Sequence, residues 1–361
     1  MRYFAFMLEL TYRRRALQFN FPARTSRGAL TEHVAHYLHL RDARRPGVAG
    51  WGEASPLAGL SPDYSPQFEA EVHQLCQRLT AARLPALAAE EVAAWVPAHL
   101  PALRFALETA VLDLAGGGRH QLYANAFSEG RAGIPINGLV WMGDATFMRT
   151  QIRQKLDAGY SCLKLKIGSL DFETELALLA EIRAEAPATE LVLRVDANGA
   201  FGSAEALGKL ERLAPFELHS IEQPIRPGQW VALAELCRHS PVPIALDEEL
   251  IGLTDPARQE ALLTEVRPPY LVLKPTLLGG HAATRRWLDL ARTAQAGWWL
   301  TSALESNVGL NAVAQLTGEY DMAGFAQGLG TGQLYYNNVA APLSIADGAL
   351  RYDPAGFWET P

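Results

Sequence analysis

The chain has 361 residues, 49% hydrophobic and 20% charged, with a net charge of −7. That length and balance predict two folded domains, or one large domain with an elaborated cap, and exclude general disorder. The mild acidity offers no footprint for nucleic acid, and the densest basic run, Arg13 to Arg15, reads as a solvated strand edge.

In chain order, the apolar run Tyr3 to Leu8 stops at Glu9, too short for a signal-peptide core, and no uncharged stretch reaches the roughly 20 residues of a membrane span. Residues 1 to about 60 predict an antiparallel meander punctuated at Pro22, Gly28, Arg45-Pro46-Gly47 and Gly50. His33, His36 and His39, spaced by three, fit neither one strand face nor a compact ligand set and read as ordinary meander residues. From 66 to 118 the period turns helical, with Phe68, Val72, Leu75 and Leu79, then Phe105, Ala106, Thr109 and Leu112. Cys76, Cys162 and Cys237 are odd in number and far apart, so neither a disulfide framework nor a zinc site is expected, and a cytoplasmic location is.

After Gly133, short apolar runs alternate with helical stretches such as Phe172 to Ala184 and Ala204 to Leu213. The runs are 136–142, 162–167, 191–198, 220–224, 243–249, 270–275, 298–306 and 323–330. Eight strands in βα alternation predict a TIM-like (β/α)7β barrel over 131–330. An N-terminal α+β capping domain is expected over 1–130, completed by 331–361. A doubly wound sheet is the alternative, but Gly138-Leu139-Val140 is not the Gly-rich phosphate loop it needs. Leu329-Gly330-Thr331-Gly332 lacks the lysine of a phosphate loop.

Asp196, Glu222 and Asp247 end three consecutive predicted strands, 26 and 25 residues apart. In a barrel these positions are neighbours at one mouth, where three carboxylates repel unless a cation holds them. A hard divalent ion suits oxygen ligands, Mg²⁺ first, with Mn²⁺ as a substitute. Lys164 and Lys166, two apart on one strand, face the same side, and Lys274 ends the strand after Asp247's. Such a set suits removal of a proton beside a substrate carboxylate, with the metal stabilising the charge that develops. A neutral lysine base requires its pKa to fall from about 10.4, and a second ammonium together with the metal would lower it.

The Lys-x-Lys of CLKLKI, then VDAN, IEQP, LDEE and VLKPTLLGG, resembles the muconate-lactonizing-type subgroup of the enolase superfamily. The likeness extends through RTSRG at 24–28, GEASPLAGLS at 52–61, INGLVWMG at 136–143, TSALES at 301–306 and GLGTGQLY at 328–335. Lysine or histidine bases with Mg²⁺ are established for that superfamily. The resemblance implies a Mg²⁺-dependent lyase in which Asp196, Glu222 and Asp247 bind the metal. It implies that Lys166 abstracts the proton, tuned by Lys164, then protonates a departing hydroxyl, while Lys274 acts from the opposite face. It further implies a lid at Arg24, Ser26, Arg27 and Gly28, an orienting role for Asn198 toward a metal ligand, and a supporting or substrate-binding role for Glu248. Ser302, Glu305 and Ser306 would shape the pocket, and Gly328 and Gly330 would offer backbone N–H groups to a second substrate carboxylate.

The expected partner is a small-molecule carboxylate, with no nucleic acid or membrane, and the oligomeric state is left open. Opposed lysines also suit a racemase or dipeptide epimerase on the same scaffold. An epimerase, however, needs acids for a substrate ammonium where Gly328-Leu329-Gly330 stands. A mandelate-racemase-like site fails because Lys274 stands where a His-Asp pair would be needed. A non-catalytic metal-binding barrel has no reason to surround its ion with lysines.

Overall fold

The structure, a computed structural model, describes residues 7–25, 28–321 and 324–361. Three antiparallel strands come first: β1 (Leu8–Thr25), β2 (Gly28–Asp42) and β3 (Ala49–Ala54). Pro22, expected at a turn, lies inside β1, where the register slips between Gln18 and Ala23. Proline has no N–H for the ladder, so pairing lapses there. Helices α1 (Phe68–Ala81), α2 (Val92–Trp95) and α3 (Pro101–Ala115) cover this sheet. Gly50, expected at a turn, is also within a strand. A Cβ there would lie 1.9 Å from the Ala110 carbonyl oxygen, and one at Gly52 would lie 1.9 Å from that of Ala106. The two glycines let α3 lie directly on β3.

The barrel begins beyond β4 (Ile134–Pro135). Its strands are β5 (Gly138–Val140), β6 (Cys162–Lys166), β7 (Val192–Asp196), β8 (Ser220–Glu222), β9 (Ile244–Leu246), β10 (Tyr270–Leu273) and β11 (Gly297–Leu300). They form one parallel sheet in sequence order. Between and after them run α4 (Ala145–Asp157), α5 (Phe172–Glu185), α6 (Ala206–Leu213), α7 (Trp230–His239), α8 (Pro256–Val266), α9 (Pro275–Leu278), α10 (Gly280–Ala294) and α11 (Asn307–Thr317). The eighth predicted strand is reduced to two bridging residues. Gln327 bridges Ile136 and Gly328 bridges Thr301, joining the two sheet edges and closing the (β/α)7β barrel.

Strand alternation then sorts the side chains. Leu163, Leu165, Val195 and Ile221 join the core beneath the helices, so Lys164, Lys166, Asp196 and Glu222 face the interior. Two residues before Asp196, at the middle of β7, Arg194 lies between the rings of Trp299 and Phe325, 4.4 and 4.5 Å from their centroids, and donates to the Ala326 carbonyl (2.7 Å). That cation–π stack fills the floor.

The C-terminal segment divides its contacts. Strands β12 (Leu343–Ala346) and β13 (Ala349–Tyr352) pair with each other, and β13 pairs with β4. Meanwhile Tyr335 bridges Phe19, and Arg13 and Arg15 hold the Pro361 carbonyl and Glu359. Arg13 and Arg15, on the solvated edge strand as expected, thus also brace the C-terminal segment. No helix among the described residues is long and apolar enough to cross a membrane.

Candidate active site

In-register pairing sets Lys166 beside Asp196 and Asp196 beside Glu222. Asp247 follows β9 directly, and one oxygen from each of Asp196, Glu222 and Asp247 lies within 4.8 Å of the others, all buried. Lys164 Nζ donates to Glu222 (2.8 Å) and Asp196 (3.3 Å). Lys166 Nζ donates to Asp196 (2.5 Å) and Asn198 Oδ1 (2.9 Å), and Lys274 to Asp247. Asn198 Nδ2 donates to Glu248 Oε1 (2.9 Å).

Burial alone would raise the Asp196 carboxyl, but the ammoniums of Lys166, Lys164 and Lys274 outweigh it and hold it well below the usual range. Glu222 goes the other way, lifted by burial and by the charge of Asp196. Burial works to lower Lys164, yet Glu222 and Asp196 more than reverse it; Lys274 is raised likewise, by Asp247 and Glu222 against its burial. Carboxylates are the nearer charges, so the protein alone keeps Lys164 and Lys274 as cations.

The acids nevertheless fit a divalent ion. Among the described residues Glu222 Oε1 and Asp247 Oδ1, both buried, have no hydrogen-bond partner, a costly state that a metal bond would relieve.

Beside the triad opens a cavity of about 110 Å³. Lys164, Lys166, Asn198, Glu248 and Lys274 line it, with Ser302, Gly328 and Gly330. The sequence reading missed its apolar wall of Leu57, Leu60, Leu139 and Trp141, and the polar Asn137, Thr301 and Thr331. Leu139 and Trp141 were findable by alternation along the first barrel strand. Leu57 and Leu60 come from an aperiodic loop of the N-terminal unit, and no local pattern points to them.

Other candidates move. Gly328 lines the cavity, but its N–H donates to the Leu300 carbonyl (2.8 Å), so the barrel ladder uses the donor expected to meet substrate. Glu305 and Ser306 lie behind the wall. Glu305 accepts from Thr276 Oγ1 (2.6 Å) and the Ala303 N–H (2.7 Å), while Ser306 caps α11 and donates to Glu53. The β1–β2 hairpin pairs Thr25 with Gly28 at a φ of +119°, a backbone that favours glycine. Gly28 and Ala29 share a cleft with Gly143, Asp144, Ser169 and Leu170 of the barrel's rim loops. Arg24 belongs to β1, while Ser26 and Arg27 lie outside the described residues.

The family model described as Enolase C-terminal domain-like matches residues 148–356. The o-succinylbenzoate synthase of Desulfotalea psychrophila is 48% identical, over 95% of this chain and 98% of its own length. The chain belongs to the o-succinylbenzoate synthase family of the enolase superfamily. The crystal structure of MenC from the same organism superposes at a TM-score of 0.85 with 44% identity, covering 96% of this chain and 99% of that one. Muconate lactonizing enzyme from Pseudomonas putida shares the fold, with a TM-score of 0.79, 22% identity, and 96% and 94% coverage. The lysines on β6 and directly after β10 and the acid triad therefore stand in a fold already known among superfamily members.

Proposed function

We propose that this chain is an o-succinylbenzoate synthase, a lyase that dehydrates 2-succinyl-6-hydroxy-2,4-cyclohexadiene-1-carboxylate to o-succinylbenzoate in menaquinone biosynthesis. The observation that carries the reading is the cavity itself, with Lys166 on one side, Lys274 on the other and the buried acids beside them.

Asp196, Glu222 and Asp247 hold the ion, assigned as Mg²⁺ with Mn²⁺ as a substitute because every ligand is a hard oxygen. Bound by these acids, the ion would supply positive charge against the substrate carboxylate. Lys166, as the neutral amine, takes the proton from the carbon bearing the carboxylate. The same Nζ then returns that proton to the hydroxyl as its C–O bond breaks, releasing water and leaving an aromatic ring. Lys164 and Asn198 orient Lys166 through Asp196 and a direct hydrogen bond. Lys274 sits across the ring as a cation. Leu57, Leu60, Leu139 and Trp141 exclude water, and Gly28 and Ala29 stand against the barrel's rim loops. Three free thiols fit a reducing cytoplasm.

The test is ultraviolet detection of the aromatic product, with and without chelator. Formation of product that stops on chelation is expected, and no product at saturating Mg²⁺ would refute the assignment. Exchange of the α-proton of a succinylated amino acid in D₂O without dehydration would move the reading to a racemase.

A further inference from the structure

Gln223 belongs to the IEQP motif, but it lines no part of the cavity and holds no ligand position. It is completely buried, and its backbone sits at a φ of +39°, in the left-handed region that side-chain-bearing residues rarely enter. Such strain persists only where surrounding contacts over-determine it. The hydrogen bonds of Gln223 supply those contacts, and they run to all three turns that carry the acids.

The Gln223 carbonyl accepts from the Gly199 N–H (2.7 Å), in the turn that follows Asp196. Glu222 precedes it directly. The side-chain Oε1 of Gln223 accepts from the N–H groups of Asp247 and Glu249, both at 3.2 Å. Its Nε2 donates to the Ile225 carbonyl (2.9 Å). One residue thus ties the ends of β7, β8 and β9 together. The acids themselves cannot do this, because like charges push those turns apart and the lysines reach only the side chains.

We infer that Gln223 is a positioning residue that presets Asp196, Glu222 and Asp247 at the spacing a single divalent cation requires. The inference rests on the reading of those three acids as metal ligands. Removing the amide releases the Asp247 N–H and lets its turn drift, so the loss falls on metal affinity before chemistry.

The experiment is Mn²⁺ binding to the full chain without substrate, read from the electron paramagnetic resonance signal of free Mn²⁺, for the parent, Gln223→Met and Asp247→Asn. Methionine keeps the volume and loses the hydrogen bonds. Its affinity should fall about 10–100-fold, the range for groups that support metal ligands, and excess Mg²⁺ should restore most of the turnover at near-parental substrate KM. Mn²⁺ affinity within about twofold of the parent's would overturn the inference, even if stability fell. If Gln223→Met does not fold, Gln223→Asn carries the same test, since asparagine tolerates the left-handed backbone but is too short to reach Asp247. A parent that binds no Mn²⁺, or an Asp247→Asn variant that binds like the parent, would sink the metal reading and this inference with it.

Discussion

The barrel's rim and the seam between barrel and N-terminal sheet both bury carboxylates, but they neutralise them differently. At the rim, Asp196, Glu222 and Asp247 face lysine ammoniums and keep oxygens free for a cation. At the seam, Glu53 accepts from the N–H groups of Ser306 and Gly309 (both 2.8 Å) and from the hydroxyls of Ser306 (2.5 Å) and Ser55 (2.9 Å). Glu108 accepts from the N–H groups of His281 and Ala282 at the start of α10. Here the positive ends of α10 and α11 stand in for a cation. Burial of acid is therefore common to both regions, and what sets the rim apart is unsatisfied acid facing amines.

On the proposed reading the lysines do the chemistry and the acids hold the metal, and the largest expected effect separates the two. Lys166→Ala should lower turnover by about 10²–10⁴-fold, the typical contribution of a general acid–base, while Mn²⁺ binding stays near the parent's. Measured together, product formation and metal titration decide it; loss of both would merge roles that the rim is argued to divide. Next in size, Asp247→Asn should weaken Mn²⁺ binding by more than the roughly 10–100-fold expected for a supporting group. Chelation of the parent should abolish turnover, restored by added Mg²⁺.

The seam should behave oppositely. Glu53→Ala leaves four buried donors without an acceptor, each worth about 1–3 kcal/mol, so a loss of about 4 kcal/mol or more is expected in urea unfolding. Metal affinity of the folded fraction should not change. A Glu53 variant that folds normally and loses metal would place the seam inside the active site.

These two regions also differ in how far the sequence reveals them. The rim acids recur once per βα unit and the lysines sit two apart on a strand, so spacing alone brings Asp196, Glu222, Asp247, Lys164, Lys166 and Lys274 to one mouth. The parallel strands were legible for the same reason, as apolar runs at a regular repeat. The closing strand was over-read, because Gln327 and Gly328 bridge without extending. Pro22 and Gly50 were misplaced because a β-bulge and a close helix approach use the same residue types as a turn. Glu53, Glu108, Glu305 and Gln223 were illegible or misassigned, since each acts on a partner in a separate turn or element, up to 256 residues away for Glu53 and Gly309. No local period encodes such a contact.

The smallest predicted effect probes whether the seam is as free of counter-charge as its geometry indicates. Burial, against the N–H groups of Ala282 and His281 and the charges of Arg104 and Arg285, pushes the Glu108 carboxyl up to about 7 from an ordinary 4.5. Between those values the native state binds more protons than the unfolded one, so stability falls as pH rises from about 4.5 to 7 and levels off above that. Glu108→Gln keeps an oxygen for both N–H groups but cannot titrate. Parent and variant should therefore diverge across that window, with a slope approaching about 1.4 kcal/mol per pH unit, read from urea midpoints at several pH values. A flat difference would mean that Arg104 and Arg285 already hold Glu108 ionised. The seam would then neutralise its acid as the rim does, with side-chain cations, and the contrast between the two would reduce to the oxygens that only the rim leaves for metal.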